Sequence, residues 1–313
     1  MEEGAKNLGA ILDAGAAFLE RKSVDAPRLA VEMLASRLLG CKRLELPQHY
    51  ARVPDEKRLA ALRRGVRRVG SGEPVQYVIG GAGFMGHEFR VDPRALIPRP
   101  ETECLVQAVL DCAPLWQGRP AVVDVGTGSG CIVISLALAR PEGLYIGLDS
   151  SADAVALATE NARALGVAER VALAQGEMCE IVDAGSLDAI VSNPPYIPSG
   201  EIERLPVCIR DHEPRQALDG GPDGLRVLSA VIQDAALALK PGGRVFLEIG
   251  ETQGEAVKAA LAAEGFARVE VRPDLAGRDR VAMGVLGEQT RCQGSGVRCQ
   301  GEERGEETGA SCP

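Results

Sequence analysis

No stretch of this chain is apolar for long enough to span a bilayer. The longest runs from Cys131 to Ala139 and carries a serine, far short of the roughly 20 residues a membrane helix needs. No basic segment followed by an apolar one opens the chain, which begins Met1–Glu2–Glu3; a cytoplasmic protein without a membrane partner is expected. Its nine cysteines are odd in number and scattered, and no C-x-x-C pair occurs. The three histidines, His49, His87 and His212, lie near no cysteine pair, so no metal site is expected. Free thiols in a reducing compartment fit better. Internal repeats are absent. What remains is an ordinary globular composition, 25% charged and 45% hydrophobic over 313 residues, enough for one large domain and a small one.

Charge divides the chain unevenly. Residues 1–90 hold 15 basic and 11 acidic side chains, residues 91–287 hold 17 and 28, and the tail 288–313 holds 3 and 5. A larger domain at net −11 repels phosphate backbones, so no stable nucleic-acid partner is expected there. Six basic residues cluster at Lys57, Arg58, Arg63, Arg64, Arg67 and Arg68. They form either a solvated helix face or a docking face for an acidic or RNA-containing partner.

Periodicity divides the fold. Leu8, Ile11, Leu12, Gly15, Phe18 and Leu19 repeat at helical spacing. Pro27 suits a first helical position before Ala30, Val31, Leu34 and Leu38, and a third stripe comprises Leu59, Leu62, Val66 and Val69. Residues 1–72 therefore read as a small helical domain. Residues 73–103 read as a hairpin, through Val75–Ile79 and Gly83–Val91, and a Pro-rich linker. From residue 104 to 287 short β-rich runs alternate with helical stretches: Ala121–Val125, Leu144–Leu148, Val171–Ala174, Ala189–Ser192 and Arg244–Ile249. That alternation predicts an α/β domain with a mostly parallel sheet covered on both faces. Ala267–Val271 and Arg280–Val285 are joined without a helix, so a C-terminal hairpin with one antiparallel strand at the sheet's end is expected. The Gly- and Glu-rich tail, 288–313, reads as disordered.

Three segments carry chemistry. Val123–Asp124–Val125 runs into Gly126–Thr127–Gly128–Ser129–Gly130 and then a helix. Such a turn lets backbone approach a ligand while helix N–H groups face it. The third glycine falls one residue earlier than in the dinucleotide pattern, which suits a smaller ligand without pyrophosphate. Asp149 ends the next strand, where a carboxylate can accept both hydroxyls of a ribose or cap the helix that follows. Asn193–Pro194–Pro195–Tyr196 follows a later strand, at the sheet edge where ligands of open α/β sheets bind. Two prolines fix the backbone and hold the Pro194 carbonyl outward, and Asn193 offers a second acceptor. Two fixed acceptors beside an aromatic face make a receptor for a planar –NH₂ group.

The GTGSG loop, Asp149 and NPPY resemble the class I S-adenosylmethionine-dependent methyltransferases, whose fold is Rossmann-like. Further segments are similar to one family among them, the HemK/PrmC glutamine methyltransferases of peptide-chain release factors. These segments are Glu73–Pro74–Val75–Gln76–Tyr77 with Gly80, Phe89, and Leu96 through Glu103 (LIPRPETE). Downstream they are Glu213–Pro214 with Ala217–Leu218, Gly221 through Leu225 (GPDGL), and Asp274 through Arg280 (DLAGRDR). Together they cover about residues 5–286. The resemblance implies S-adenosylmethionine as cofactor, with Gly126, Thr127, Gly128, Ser129 and Gly130 at its methionine end and Asp149 at its ribose. Met178 matches a position beside the adenine, where other members often carry an aromatic residue. Asn193, also beside the cofactor, and Pro194 would hold the substrate amide, Pro195 would belong to the same substrate-binding set, and Tyr196 would stack on the amide. The substrate implied is the Gln of the release-factor Gly-Gly-Gln loop, methylated at N5 by an enzyme whose helical N-terminal domain contacts the release factor; a monomer is expected. A glutamine of a large-subunit ribosomal protein, or a nucleic-acid amino group, is the alternative substrate for the same motif.

Overall fold

The computed structural model describes residues 7–176 and 181–288. The expectations for Met178 and for the tail from residue 289 lie outside the described residues.

The N-terminal helices form where the apolar stripes predict them: α1 (Leu8–Glu20), α2 (Pro27–Leu39) and α3 (Glu56–Gly70). Asn7 and Asp55 cap the first and third by accepting from Ala10 N and Arg58 N. Each cap satisfies one N–H that the helix leaves unpaired. Leu12, Leu19, Val31, Leu34, Leu62 and Val69 close into one core. A 3₁₀ segment, Arg43–His49, adds Leu46 to it.

Val75–Ile79 is not a strand. It forms a short helix, α4, whose Val75, Val78 and Ile79 pack on the same helical core. Apolar residues at positions 75, 78 and 79 have helical spacing, and Pro74 stands at the N-cap, where it obstructs no helical hydrogen bond. The hairpin begins later, with β1 (Ala82–Phe84) and β2 (His87–Phe89). Its turn, Met85–Gly86, has φ of 49° and 77°, the left-handed pair that a two-residue hairpin turn requires. Phe84 and Phe89 meet edge to face at 6.1 Å and insert into the core of the larger domain.

That domain is a seven-stranded sheet in the order β5-β4-β3-β6-β7-β9-β8. Its strands are β3 (Ala121–Val125), β4 (Leu144–Asp149), β5 (Val171–Gln175), β6 (Leu187–Ser192), β7 (Leu239–Glu248), β8 (Phe266–Pro273) and β9 (Asp279–Leu286). The first five are parallel. β9 runs antiparallel to both neighbours. It therefore lies one place in from the edge, because the hairpin folds back between β7 and β8. Helices α5 (Thr102–Leu110), α6 (Cys131–Ala139) and α7 (Ala152–Ala164) precede β3, β4 and β5 in turn. They are followed by α8 (Val207–Arg210), α9 (Arg226–Ala238) and α10 (Gly254–Ala263). Alternation along β6 supplies both faces: Ala189 and Val191 join the core with α5 and α6, while Ile190 joins the core with α9 and α10. Among the described residues no helix is long and apolar enough to cross a membrane.

Candidate active site

The chain runs outward from β3 to β4 to β5, then crosses back to place β6 on the other side of β3. Strand order reverses there, and ligands bind at the carboxyl ends of such strands. Val125 and Ser192 are register partners, and the Ser192 hydroxyl donates to Val125 O at 2.7 Å. The glycine loop and Asn193 therefore leave the sheet side by side.

The loop is held from beneath. Gly126 N and Thr127 N donate to Leu148 O at 2.8 and 2.9 Å. Thr127 Oγ1 donates to Asp124 Oδ2 at 2.7 Å, and Val133 N donates to the same oxygen at 3.3 Å. Asn161, fully buried, donates to Ser129 O at 2.8 Å and exchanges hydrogen bonds with the backbone of Arg90. Gly126 and Gly128 have φ of 73° and 55°, and an added Cβ would meet nothing closer than 3.8 Å at either. Side chains are absent here because the space belongs to the cavity. Gly130 differs. Its Cβ would press on Ile134 at 2.7 Å, so it serves helix packing and does not line the cavity.

Asp149 does two things at once. Its Oδ2 accepts from Gly128 N and its Oδ1 from Ser151 N, both at 2.9 Å. The helix cap proper is Ser151, which accepts from Ala154 N. Each carboxylate oxygen retains lone-pair capacity toward the cavity. That cavity, about 420 Å³, falls in the range that small-molecule sites occupy. Gly126, Thr127, Gly128, Ser129, Asp149, Asn193 and Pro195 line it, whereas Gly130, Pro194 and Tyr196 do not.

Asp124 sits below the loop, wholly buried, with Oδ1 lacking a partner. Burial pushes its carboxyl up to about 7, against the hydrogen bonds from Thr127 and Val133. An acid raised in the folded state contributes stability below its unfolded value near 3.9 and loses it as pH climbs through the folded value. Asp124→Asn has no proton to lose. Urea midpoints should therefore show the variant gaining on the wild type between about pH 4 and about pH 7; a pH-independent difference contradicts this.

Around NPPY, sequence reasoning gave no role to four residues: Glu248 and Gln253, and Thr102 and Gly224, which lie within the LIPRPETE and GPDGL segments. Asn193 Nδ2 donates to Thr102 Oγ1 at 3.2 Å, so the amide nitrogen is occupied and Oδ1 is the end left for a ligand. The Tyr196 hydroxyl donates to Glu248 Oε1 at 3.2 Å. Gln253 Nε2 donates to Tyr196 O at 3.1 Å and to Gly224 O at 3.2 Å. Gly224, at φ 77°, comes so close that an added Cβ would lie 2.3 Å from Tyr196 O. Burial and the charge of Glu248 raise the Tyr196 phenol above its usual range, so it stays a neutral donor. One signal was readable: Glu248 is an acid within the apolar run Val245–Phe246–Leu247–Glu248–Ile249, at the same sheet edge as Asn193.

A third buried acid ties together two segments that line the cavity. Glu213 Oε2 accepts from Ile97 N at 3.1 Å, and Oε1 accepts from Arg99 Nη2 at 2.5 Å. The Pro-rich segment is thereby fixed against the segment after NPPY.

Family models match the chain twice: a PrmC N-terminal domain over residues 10–80 and a methyltransferase domain over residues 119–270. A release factor glutamine methyltransferase of Geobacter sulfurreducens is 39% identical over 277 residues, covering 88% of this chain and 96% of the relative. This chain belongs to the release factor glutamine methyltransferase family. The relative of the same name from Moorella thermoacetica is 44% identical over 261 residues, covering 82% of this chain and 90% of its own. That from Nitratidesulfovibrio vulgaris is 40% identical over 265 residues, covering 84% and 89%. Membership makes the chain an S-adenosylmethionine-dependent enzyme of class I fold. The cavity fits that cofactor: a side-chain-free glycine cradle, a carboxylate at the tip of β4, and beneath them a buried acid with one oxygen left unpartnered.

Proposed function

We propose that this enzyme methylates the side-chain amide nitrogen (N5) of the Gln in the release-factor Gly-Gly-Gln loop. The observation that carries the reading is the orientation of Asn193: its nitrogen is held by Thr102, so its oxygen faces the cleft as an acceptor. When bound, S-adenosylmethionine supplies an electrophilic methyl on its sulfonium. Gly126 to Ser129 and Asp149 are the residues that would hold it.

An amide nitrogen is a poor nucleophile because its lone pair is shared with the carbonyl. Asn193 Oδ1 and Pro194 O, accepting its two N–H bonds, orient it and draw electron density toward nitrogen. Orientation of this kind removes much of a bimolecular barrier. As positive charge develops on nitrogen, the same acceptors bind it more strongly than they bind the ground state. The Tyr196 ring face adds a cation–π contribution of about 0.5–2 kcal/mol. Mass spectrometry of release factor incubated with enzyme and cofactor tests the reading directly. A gain of one CH₂ unit on that Gln is expected, and a gain elsewhere, or none, refutes it.

Docking of the protein substrate draws on the basic helix face. Arg58 pairs with Asp55, Arg63 with Glu56 and Arg68 with Glu73, which neutralises half of the cluster. Arg64 and Arg67 make no ion pair among the described residues. Reversing both to Glu should slow association with whole release factor, lowering kcat/KM about tenfold at low salt and less at high salt. A short Gly-Gly-Gln peptide cannot reach α3, so its methylation should be unchanged. Equal losses on the two substrates, or none on either, would make α3 a solvated face.

A further inference from the structure

The glycine loop is anchored on both sides of one remaining donor. Gly126 N and Thr127 N donate to Leu148 O, Gly128 N to Asp149 Oδ2, and Gly130 N to Thr127 O at 2.8 Å. Ser129 N has no acceptor among the described residues. Ser129 lines the cavity, so its N–H is the loop donor left for a ligand. A backbone donor this far inside the protein is destabilising until something accepts from it.

The direction of that N–H is set from outside the loop. Peptide units are planar, with two soft dihedrals between successive planes. The plane carrying Ser129 N lies between two that are held. Asp149 holds the plane of Gly128 N, and Asn161 holds the plane of Ser129 O.

Asn161 stands on α7, 1% exposed, with both ends of its amide engaged. Its Nδ2 donates to Ser129 O at 2.8 Å and to Arg90 O at 3.1 Å, and its Oδ1 accepts from Arg90 N at 2.8 Å. Two carbonyls at one end and an N–H at the other admit no flipped amide. Ala158 lies three residues earlier on the same helix face, 3.2 Å from the place of a Cβ on Gly130. The loop therefore rests on α7 at Ala158 and is pinned to it at Asn161. Asn is a poor helix former, and its amide is costly to bury without partners. An apolar side chain would pack α7 without reaching the loop, so packing alone does not account for an amide at this place. Arg90 is the first residue after β2, so the same amide joins the loop to the hairpin.

We propose that Asn161 is a positioning residue for the cofactor: by holding Ser129 O it sets the Ser129 N–H as a donor to the carboxylate of the cofactor's methionine end. This rests on the reading that places the glycine loop at that end.

Two ligands and two variants of the full-length enzyme test it. S-adenosylhomocysteine, the demethylated cofactor, keeps the amino-acid end, whereas methylthioadenosine has the adenosine and the sulfur without it. Asn161→Asp keeps an acceptor for Arg90 N but, when ionised, has no proton for Ser129 O. Asn161→Ala removes every one of these bonds. Calorimetry should show each variant binding S-adenosylhomocysteine about tenfold or more weakly than the wild type, and methylthioadenosine within about twofold of it. A role in stability alone would lower the melting temperature and weaken both ligands alike. That result, or unchanged binding of both, overturns the proposal. Where neither variant folds, the wild type decides. Exchange of its Asn161 Nδ2 protons with solvent should be slower with S-adenosylhomocysteine bound than with methylthioadenosine bound, and equal exchange overturns the proposal. A wild type that binds the two ligands alike refutes the placing of the methionine end at the loop as well. A wild type that prefers S-adenosylhomocysteine, with variants that keep the preference, refutes the role of Asn161 alone. No release factor enters these measurements, so they stand apart from which residue is methylated.

Discussion

Asn193→Ala should yield a folded protein that binds S-adenosylmethionine and turns over about 10²–10³ times more slowly than the wild type. The truncated side chain is half-buried at the end of β6, so little core is lost. On the proposed reading, what disappears is the one side-chain acceptor for the substrate nitrogen, and with it an interaction that strengthens as charge develops there. Losing such a group removes transition-state binding, so kcat and kcat/KM should fall together while KM changes little. The Thr102 hydroxyl loses the donor that Asn193 supplies. Single-turnover rates on release factor, with calorimetric titration of the cofactor on the same preparation, separate the two effects. A wild-type rate would remove Asn193 from the receptor.

Asp149→Ala should act on the other substrate. The carboxylate holds Gly128 N and Ser151 N, and on the proposed reading its remaining lone pairs take the ribose hydroxyls. Its removal loses charge-assisted bonds to the ligand and relaxes the loop that shapes the cavity. Hydrogen bonds to charged groups contribute about 1.5–3 kcal/mol each. A loss of about 2–4 kcal/mol raises Kd for S-adenosylmethionine roughly 30- to 1,000-fold. At saturating cofactor, kcat should recover in large part, because the amide receptor is assembled elsewhere. Calorimetry returning wild-type affinity would leave Asp149 as a turn residue only.

The strands were legible because their side chains alternate or run apolar between turn residues, and Ala121–Val125 was placed to the residue. The α4 segment was not. Five residues with two β-branched valines and an isoleucine satisfy a strand pattern as well as a helix pattern. Packing of Val75, Val78 and Ile79 against the N-terminal core decided between them. The position of β9 was hidden for a different reason: a hairpin shows that two strands pair, but not which of them reaches the sheet first. At the site, the motif residues that touch the cavity were readable because glycines and prolines announce unusual backbone. Thr102, Glu248, Gln253 and Gly224 were given no role, because a support residue is defined by what it reaches across the fold, and Glu248 and Tyr196 are far apart in sequence. The Asp274–Arg280 segment was recognised as a pattern, but the hydrogen bond from Arg280 to Ile249 O, next to Glu248, only became visible in three dimensions.

Glu213 holds two walls of the cavity that the chain builds more than a hundred residues apart. One carboxylate closing so long a loop ties the separation of the two walls to a single set of contacts. The Ile97 N–H, which donates to Glu213, is a reporter of that separation. Its exchange with solvent deuterium should follow how often the contact opens. Cofactor that bridges the two walls should slow that exchange, whereas Glu213→Gln, keeping the shape but weakening the hold on Arg99, should quicken it. The parting of the walls can thus be timed at one backbone position, with no substrate turned over.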